Sequence, residues 1–329
     1  MNRRDFLKTA SLSALAPSLY YLSCKPNPVI PIIDTHVHLL DFDQFNIGWA
    51  RGRFDSNMLM DDYMKAVEGH DVVKLIYMEV NVSQEYRRKE AEWALEQCKD
   101  PDNPMVGAVI RLDITSPEFE SEIRSFKGNP YLKGIRYPLD NAEKTFSPRV
   151  IENIRLLGEL GLSYDLLVDP KLFSIVNQLL EDCQSTKFIL NHCGGANPTD
   201  FFPEGKRDPR ELEDRRDHED RRDREDRRDE WINGIEMIAQ RDNLICKISG
   251  IVDNAGDYPL VPADLAPIID HCYKSFGPDR VIFAGDWPVC LRNMSLAWWI
   301  ESLKEVVTGW PLEDQRKLFH DNAASFYGV

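Results

Sequence analysis

The chain has 329 residues, of which 43% are hydrophobic and 29% charged, and its formal net charge is −15 at pH 7. This composition is that of a globular protein, and the length allows two ordinary domains or one large α/β domain. The negative balance argues against a nucleic-acid partner, because binding a phosphate backbone requires clustered lysine and arginine.

The first 24 residues have the pattern of an export signal. Arg3 and Arg4 precede a weakly apolar stretch without charges, as in bacterial twin-arginine signals, and the stretch ends at Cys24 in a loose lipoprotein cleavage box. The alternative is an ordinary basic amphipathic helix. We expect residues 1–24 to be the signal, Cys24 to carry a lipid, and the protein to act in the periplasm or on the cell envelope. No other segment is apolar over the roughly 20 residues that a membrane-spanning helix needs.

Eight short runs rich in apolar residues follow, separated by segments with helical spacing. They are Pro31–His38, Val72–Val80, Met105–Ile114, Leu132–Leu139, Leu162–Val168, Lys187–Cys193, Leu244–Ile251 and Val281–Trp287. Nearly continuous apolar runs are typical of parallel strands covered on both faces. Eight such strands alternating with helices predict a (β/α)8 barrel of residues 25–329. An open doubly wound sheet is the alternative, but no G-x-G-x-x-G or phosphate-binding loop follows the first run.

One segment interrupts this alternation. Residues 206–230 repeat the sequence EDRRD with a period of six and contain almost no apolar side chain. Such a segment has no hydrophobic face to bury, although opposite charges three and four residues apart support a solvated helix. We interpret it as a charged insertion after the sixth strand. In a barrel it would lie on the face where active sites form.

The side chains most suited to chemistry stand near the predicted C-terminal ends of the strands. In the first run Asp34, His36 and His38 alternate and share one face of a strand. His192 ends the sixth strand and Asp286 the eighth. Imidazoles together with a carboxylate suit a catalytic Zn²⁺ with an open position for water, so His36, His38, His192 and Asp286 are the predicted metal ligands. Asp34 is either a support for one imidazole or a plain structural hydrogen-bonding group.

Asp286 is also the predicted general base, because a carboxylate beside a metal or an arginine stays ionised. Arg136 has a guanidinium suited to a substrate carboxylate or to a carbonyl oxygen that gains negative charge. His192 completes the predicted catalytic set. We expect Lys247, Glu79 and Trp287 to contact substrate as well; for Lys247 and Glu79 the alternative is a charge pair inside the barrel.

Several motifs occur together in a familiar order, namely IIDTHVHLLD, GIRY, FILNHCGG, NLICKISG, FAGDWPVC and the final DNAASFYGV. From about Pro31 to Val329 the chain resembles the amidohydrolase-related (amidohydrolase 2) family, and within it the L-fuconolactonase and L-rhamnonolactonase-like branch. The charged insertion is the main departure. The resemblance implies a (β/α)8 barrel that opens a lactone, with Arg136 on the substrate. Some members of similar layout work without metal. This chain has no recognisable lysine or histidine ligand at the ends of strands four and five, where a binuclear member would place them, so the resemblance implies one divalent metal at most.

Three other functions remain open at this point. One is a metal-dependent decarboxylase, and a second is a lactonase for 2-pyrone-4,6-dicarboxylate. The second requires more than one arginine at the mouth of the barrel, and the sequence offers no convincing partner for Arg136. The third is a non-catalytic carbohydrate-binding lipoprotein, against which the histidine pair and Asp286 argue. A small molecule is the expected partner in every case.

Overall fold

A computed structural model of the protein describes residues 29–138, 147–203, 206, 217–256 and 258–329, with no side chains described for 217–221. The predicted export signal and Cys24 therefore lie outside the described residues. Within the described ranges no helix is both long enough and apolar enough to cross a membrane.

Eight parallel strands form one sheet in chain order, β1 to β8, and each pairs with the next. They are β1 (Ile32–Val37), β2 (Val72–Met78), β3 (Met105–Ile110), β4 (Leu132–Arg136), β5 (Ser163–Leu166), β6 (Lys187–Leu190), β7 (Leu244–Ile248) and β8 (Val281–Phe283). The seam between β1 and β8 is joined by a parallel bridge between Val37 and Trp287 and by a 2.8 Å hydrogen bond from the His38 amide to the Trp287 carbonyl. The predicted barrel is confirmed.

Each strand ends earlier than the apolar pattern predicts. The eighth apolar run extends to Trp287, whereas β8 ends at Phe283, and the third run extends to Ile114, whereas β3 ends at Ile110. The residues after each strand remain apolar or buried because they form the walls of the site. In the sequence, the apolar residues among them continue the pattern of the strand that precedes them.

Helices surround the barrel and follow the strands in turn. They are α1 (Met60–Ala66), α2 (Arg87–Gln97), α3 (Phe119–Ser125), α4 (Pro148–Glu159), α5 (Phe173–Asp182), α6 (Asp217–Ile238), α7 (Ile251–Asn254), α8 (Pro262–Phe276), α9 (Leu296–Val306), α10 (Leu312–Arg316) and α11 (Asn322–Tyr327), with a π-helical turn at Lys317–Asp321. Side chains cap several N-termini, as sequence signals predict: Ser147 accepts from the Val150 amide and Ser295 from the Trp298 amide.

The two ends of the barrel interior have different chemistry. One end is filled by an apolar cluster of strand residues (Ile33, Ile76, Met78, Val109, Ile189, Ile245 and Ile282) together with Ala323 and Tyr327 of α11. The C-terminal helix thus closes this end. The opposite end, where the strands terminate, carries the buried polar and charged side chains, as expected of a barrel enzyme.

Most of the described part of the charged insertion belongs to α6. Its C-terminal part is anchored by buried Trp231, Ile235 and Ile238, while charged residues between 222 and 230 are mainly exposed. Arg227 reaches the preceding loop and donates to Asp200 at 2.6 and 3.3 Å. From residue 217 onward the insertion is therefore part of a barrel helix, exposed over most of residues 222–230 and docked at its last turns.

Candidate active site

Three of the loops that form the site leave their strands through a residue with positive φ. These residues are Asn81 after β2 (φ 50°), His192 after β6 (φ 56°) and Asp286 after β8 (φ 55°). Residues other than glycine rarely adopt this conformation, and such strain persists where the surrounding structure imposes it, often at functional sites. All three residues line one cavity.

A cluster of two imidazoles and one carboxylate adjoins this cavity: His38 and Asp286 line it, and His36 is fully buried beside them. The Nε2 atoms of His36 and His38 are 3.2 Å apart, and Asp286 Oδ1 lies 3.5 Å from the first and 3.6 Å from the second. His38 Nδ1 is 3.0 Å from the Met78 carbonyl oxygen, an arrangement in which Nδ1 donates and Nε2 keeps its lone pair for the cluster.

These three donors fit a divalent metal. Ligands bound tetrahedrally at about 2.0–2.1 Å from Zn²⁺ are separated by roughly 3.3–3.4 Å, close to the observed spacing. The hydrogen bond from His38 to a backbone carbonyl is the support that metal-ligating histidines usually have. Arg136 Nη1, however, lies 3.3 Å from His36 Nε2. A metal and this guanidinium therefore compete for the same nitrogen.

His192 stands beside this donor set rather than in it. Its ring centroid is 4.7 Å from that of His36, its Nδ1 is 3.0 Å from Ser249 Oγ, and the same nitrogen is 3.9 Å from Asp286 Oδ2. Gly250, at φ 67°, leaves room for the ring, because a Cβ there would lie 2.5 Å from it. Among the described residues the close donor group contains His36, His38 and Asp286 only.

Burial and neighbouring charges determine the protonation of the cluster. Burial lowers the pKa of His36 well below its ordinary value, and the positive charge of Lys247 adds to this effect. Burial raises the pKa of Asp286, but His192 and His38 outweigh it, so this pKa lies below its ordinary value of 3.8. At neutral pH the cluster therefore contains a neutral His36 and an ionised Asp286, the forms that bind a metal or accept a proton.

Arg136 is fixed at the rim by Glu79. Its Nε donates to Glu79 Oε1 at 2.5 Å and its Nη2 to the Glu79 carbonyl at 2.8 Å, while the guanidinium also lines the cavity. Glu79 is 1% exposed, and its Oε2 accepts from the Asn81 amide at 2.6 Å. Glu79 therefore positions Arg136 and is not among the residues that line the cavity.

Arg111 is a second buried arginine beside Glu79, and the sequence analysis missed it. It follows β3 directly, its Nη1 lies 3.5 Å from Glu79 Oε1, and its Nε and Nη1 have no hydrogen-bond partner among the described residues. The third apolar run was predicted to continue past this position, which concealed that Arg111 stands at a strand end. A polar residue directly after a strand was the available signal.

Lys247 and Trp287 do not line the cavity, and Lys247 forms the charge pair inside the barrel that was the alternative prediction for it. Lys247 is fully buried and donates to Asp165 Oδ2 at 2.7 Å, so its charge pair is with a residue on β5. Trp287 is also fully buried, packs against Tyr63 with ring centroids 5.5 Å apart, and does not line the cavity. The geometry supports neither as a substrate contact. Within the described part of the chain, no imidazole hydrogen-bonds to Asp34, which accepts from the backbone amides of His36 and Gly285 and from Tyr63 and is therefore a structural group.

The cavity has a volume of about 220 Å³ and opens at the C-terminal ends of the strands. Its lining combines the predicted His38, Arg136, His192 and Asp286 with residues that the sequence did not single out: Trp49, Asn81, Gly250, Asp253, Asn254 and Val289. The predicted side chains come from distant parts of the chain, since His38 lies near its start and Asp286 near its end. The aromatic ring of Trp49 and the side-chain amides of Asn81 and Asn254 complete the walls of the cavity. This is the mixture expected of a site for a small polar molecule.

A buried carboxyl behind Arg136 predicts a pH effect on stability. Glu90 Oε1 accepts from Tyr77 and from the Val80 amide, and burial together with the charge of Glu79 raises the pKa of Glu90 from 4.5 to about 8. The folded state thus holds a proton that the unfolded state releases above about pH 4.5. The free energy of unfolding must then fall as pH rises from about 4.5 to about 8.

We expect Glu90→Gln to remove this loss. Its Tm should exceed that of the wild type in mildly alkaline buffer and differ little in mildly acidic buffer. Glu92→Gln, an exposed site on the same helix, is the matched control. Calorimetry across this pH range is the measurement, and a Tm difference that stays constant with pH would show that Glu90 does not titrate as described.

Comparison with known proteins places this site in a family. A family model described as "Amidohydrolase" matches residues 33–329. An uncharacterized protein of Sinorhizobium fredii is 25% identical over 326 residues, covering 91% of this chain and 99% of that one. A protein of Burkholderia multivorans named L-fucono-1,5-lactonase is 24% identical over 275 residues, covering 80% and 84%. An L-rhamnono-gamma-lactonase of Scheffersomyces stipitis is 26% identical, covering 60% and 59%.

Solved structures show the same barrel. An amidohydrolase of Burkholderia multivorans with bound zinc superposes with a TM-score of 0.74 at 20% identity, covering 91% of this chain and 99% of that one. A probable 2-pyrone-4,6-dicarboxylic acid hydrolase of Acinetobacter baumannii gives 0.64 at 17% identity, covering 91% and 100%. A 2,6-dihydroxybenzoate decarboxylase from Rhizobium gives 0.56 at 13%, covering 91% and 99%. The match over residues 33–329 confirms the resemblance read from the motifs: the chain belongs to the amidohydrolase family and is an enzyme of that hydrolase superfamily.

Proposed function

We propose that the protein hydrolyses a sugar lactone. The observation that carries this proposal is the ionised Asp286 carboxylate within 3.6 Å of two imidazoles, in a cavity that Arg136 also lines. Two relatives named as lactonases support the substrate class. The small polar cavity agrees with a polyhydroxylated ring.

Asp286 has the position of a general base. Its carboxylate faces the cavity and takes a proton from water as the water oxygen forms a bond to the lactone carbonyl carbon. The bond between that carbon and the ring oxygen then breaks, and Asp286 returns the proton to the ring oxygen. The product is an open hydroxy acid, and no oxidant or further reactant is needed.

Arg136 and His192 are the groups available to hold the substrate. Glu79 fixes Nε and Nη2 of Arg136, which leaves Nη1 as the donor nearest the cluster. A donor held in this way stabilises the negative charge that develops on the carbonyl oxygen. His192, oriented by Ser249, lies near Oδ2 of Asp286, whereas His36 and His38 lie near Oδ1, and it is proposed to contact a ring hydroxyl.

A divalent metal, with zinc the first candidate, would be held by His36, His38 and Asp286. When bound, such an ion polarises the carbonyl and lowers the pKa of a coordinated water. The donor spacing and the relative that carries zinc support this proposal. His192 was predicted as a fourth ligand, and the geometry favours it as a substrate contact instead.

The test combines metal analysis with a substrate screen. Protein purified without a metal-binding tag is expected to contain about one divalent ion per chain, and a pH-indicator assay over a panel of aldonolactones is expected to find turnover. A chelator should lower the rate, and added zinc should restore it. If no aldonolactone is opened by metal-replete protein, the proposed substrate class is wrong, and release of CO2 from an aromatic acid would identify a decarboxylase instead.

One observation favours a second candidate, an anionic cyclic ester such as a pyrone dicarboxylate. Arg111 and Arg136 both lie beside Glu79, and two nitrogens of Arg111 have no hydrogen-bond partner among the described residues. A solved structure of similar fold is named as a probable 2-pyrone-4,6-dicarboxylic acid hydrolase. A single glutamate does not neutralise both arginines, so positive charge remains available to bind an anionic substrate. Adding 2-pyrone-4,6-dicarboxylate to the substrate screen distinguishes the two candidates.

We also propose that the enzyme acts outside the cytoplasm. The paired Arg3 and Arg4 and the cysteine at position 24 support export and lipid attachment. Cell fractionation of a bacterium producing the full chain is expected to find it in the envelope. A double variant, Arg3→Lys with Arg4→Lys, should remain in the cytoplasm; equal export of both forms would contradict the twin-arginine assignment.

A further inference from the structure

A second cavity lies next to the catalytic one and is formed in part by the charged insertion. It has a volume of about 290 Å³ and lies between the loop after β5, the loop after β6 and four residues of α6 (Arg227, Arg228, Glu230 and Trp231). The loop after β6 also carries His192, so both cavities open on the same face of the barrel. The insertion thus supplies a wall close to the catalytic centre.

The two cavities meet at Asn254. This residue lines both of them, and its side chain donates from Nδ2 to the Ala196 carbonyl at 2.9 Å, which fixes it between the loop after β6 and α7. The two cavities are therefore neighbours, and a ligand bound at Asp286 that is longer than one ring would have to pass Asn254 to enter the second. The catalytic cavity is smaller than the usual range of about 300–1,000 Å³ for ligand pockets, whereas the two together fall within it.

The lining of the second cavity suits an uncharged polar ligand. Its acidic residues (Asp169, Asp200 and Glu230) equal its basic residues (Lys171, Arg227 and Arg228) in number. Since the charges balance, the cavity has no net preference for an anion or a cation.

Two aromatic rings and one ion pair give this cavity a fixed shape. Phe201 and Trp231 meet edge to face with centroids 5.5 Å apart, and Trp231 Nε1 donates to the Cys193 carbonyl at 2.7 Å. Asp200, 7% exposed at its side chain, is held by Arg227. Trp231 is only 2% exposed, so the partly exposed ring of Phe201, beside the charged groups, is the aromatic surface that can contact the apolar face of a sugar ring.

We propose that the natural substrate is a lactone that carries a second, uncharged sugar ring. The lactone ring occupies the catalytic cavity, and the second ring occupies the cavity against α6. This inference rests on the proposed function and adds a substrate class to it. It also gives the charged insertion a role, because Arg228 is then a specificity residue contributed by the insertion.

The test compares lactones that differ only by the added ring. Glucono-1,5-lactone is assayed beside its disaccharide counterparts, the lactones of lactobionic, maltobionic and cellobionic acid. At least one disaccharide lactone is expected to show a kcat/KM about tenfold higher, mainly through a lower KM, as one or two added polar contacts would produce. If no disaccharide lactone is preferred, the inference is overturned.

Variants of residues in the second cavity test whether the preference for a disaccharide lactone arises there. Arg228→Ala and Lys171→Ala are expected to remove most of the advantage of the disaccharide lactone and to leave the rate with glucono-1,5-lactone unchanged. Both side chains are at least partly exposed, so neither change should affect folding. Arg316→Ala, an exposed arginine on α10 that pairs with Asp321, is the matched control. Equal losses with both kinds of lactone in the Arg228 variant would contradict a second subsite.

Binding of the open acids separates this inference from the proposed reaction. Calorimetric titration with gluconate and with lactobionic, maltobionic and cellobionic acid needs no turnover. If no lactone is hydrolysed, but a disaccharide acid binds more tightly than gluconate and Arg228→Ala removes the difference, the reaction is wrong and the second subsite stands. If hydrolysis occurs without any preference in rate or binding, the reaction stands and the second subsite is wrong.

Discussion

Asp286→Asn is expected to lower kcat for lactone hydrolysis by about two to four powers of ten, the usual contribution of a general base. Asparagine is nearly isosteric and keeps the backbone hydrogen bond from residue 286 to the His36 carbonyl, so the loop should retain its strained conformation. What the variant loses is the carboxylate that accepts the proton of water. Because the pKa of Asp286 lies below 3.8, the loss should be the same in mildly acidic and in neutral buffer.

The measurement is the initial rate with the preferred lactone, together with the metal content of the same preparation. Asp279→Asn, the same chemical change at an exposed position just before β8, is the control and should retain full activity. A variant that binds metal normally and hydrolyses the lactone at nearly the wild-type rate would show that Asp286 is not the base. Loss of metal with partial activity would assign Asp286 to metal binding alone.

Lys247→Met should destabilise the protein by about 3–5 kcal/mol, because it leaves the Asp165 carboxylate without its partner inside the barrel. Both side chains are fully buried and joined by a 2.7 Å hydrogen bond, and Asp165 Oδ1 has no other partner among the described residues. Methionine approximates the shape of lysine and adds no charge. The expected effect is therefore electrostatic rather than a loss of packing.

The double variant Lys247→Met with Asp165→Asn tests this explanation. Removing both charges should recover a large part of the lost stability, since no uncompensated charge remains buried. Urea unfolding, compared through midpoint and slope, is the measurement. A single variant as stable as the wild type, or a double variant no better than the single one, would show that the pair does not hold the strands together as described.

The fold was largely predictable from the sequence. The apolar run at Val72 begins where β2 begins, and the runs at Met105, Leu132, Lys187, Leu244 and Val281 also begin with their strands. The starts of these strands can be predicted from the sequence because a turn or a helix end precedes each buried parallel strand. The ends of the strands could not be read from the sequence, because apolar residues continue past them, many of them as buried as the strands, such as Val80 and Ala284.

The convergence of the site was also predictable, in outline. His36, His38, Arg136, His192 and Asp286 all stand at strand ends, and a closed barrel brings such positions to one mouth. The position of each side chain within the mouth of the barrel was not predictable from the sequence. The periodicity of a strand indicates which residues share a face, but it does not indicate how deeply a side chain is buried in the barrel or which residue it pairs with. Lys247 and Trp287 satisfied the pattern and are nevertheless fully buried.

The sequence alone therefore determined the architecture and the central polar residues of the site, because hydrophobic periodicity and the polar residues at strand ends are local properties of the chain. The tertiary structure alone decided that Lys247 pairs with Asp165, that Arg111 joins Arg136 at Glu79, and that His192 stands outside the close donor group. These facts depend on distances between residues far apart in the chain. Such distances are set by how eight strands are staggered around the barrel and by the positive φ of residues such as His192, which no local pattern encodes.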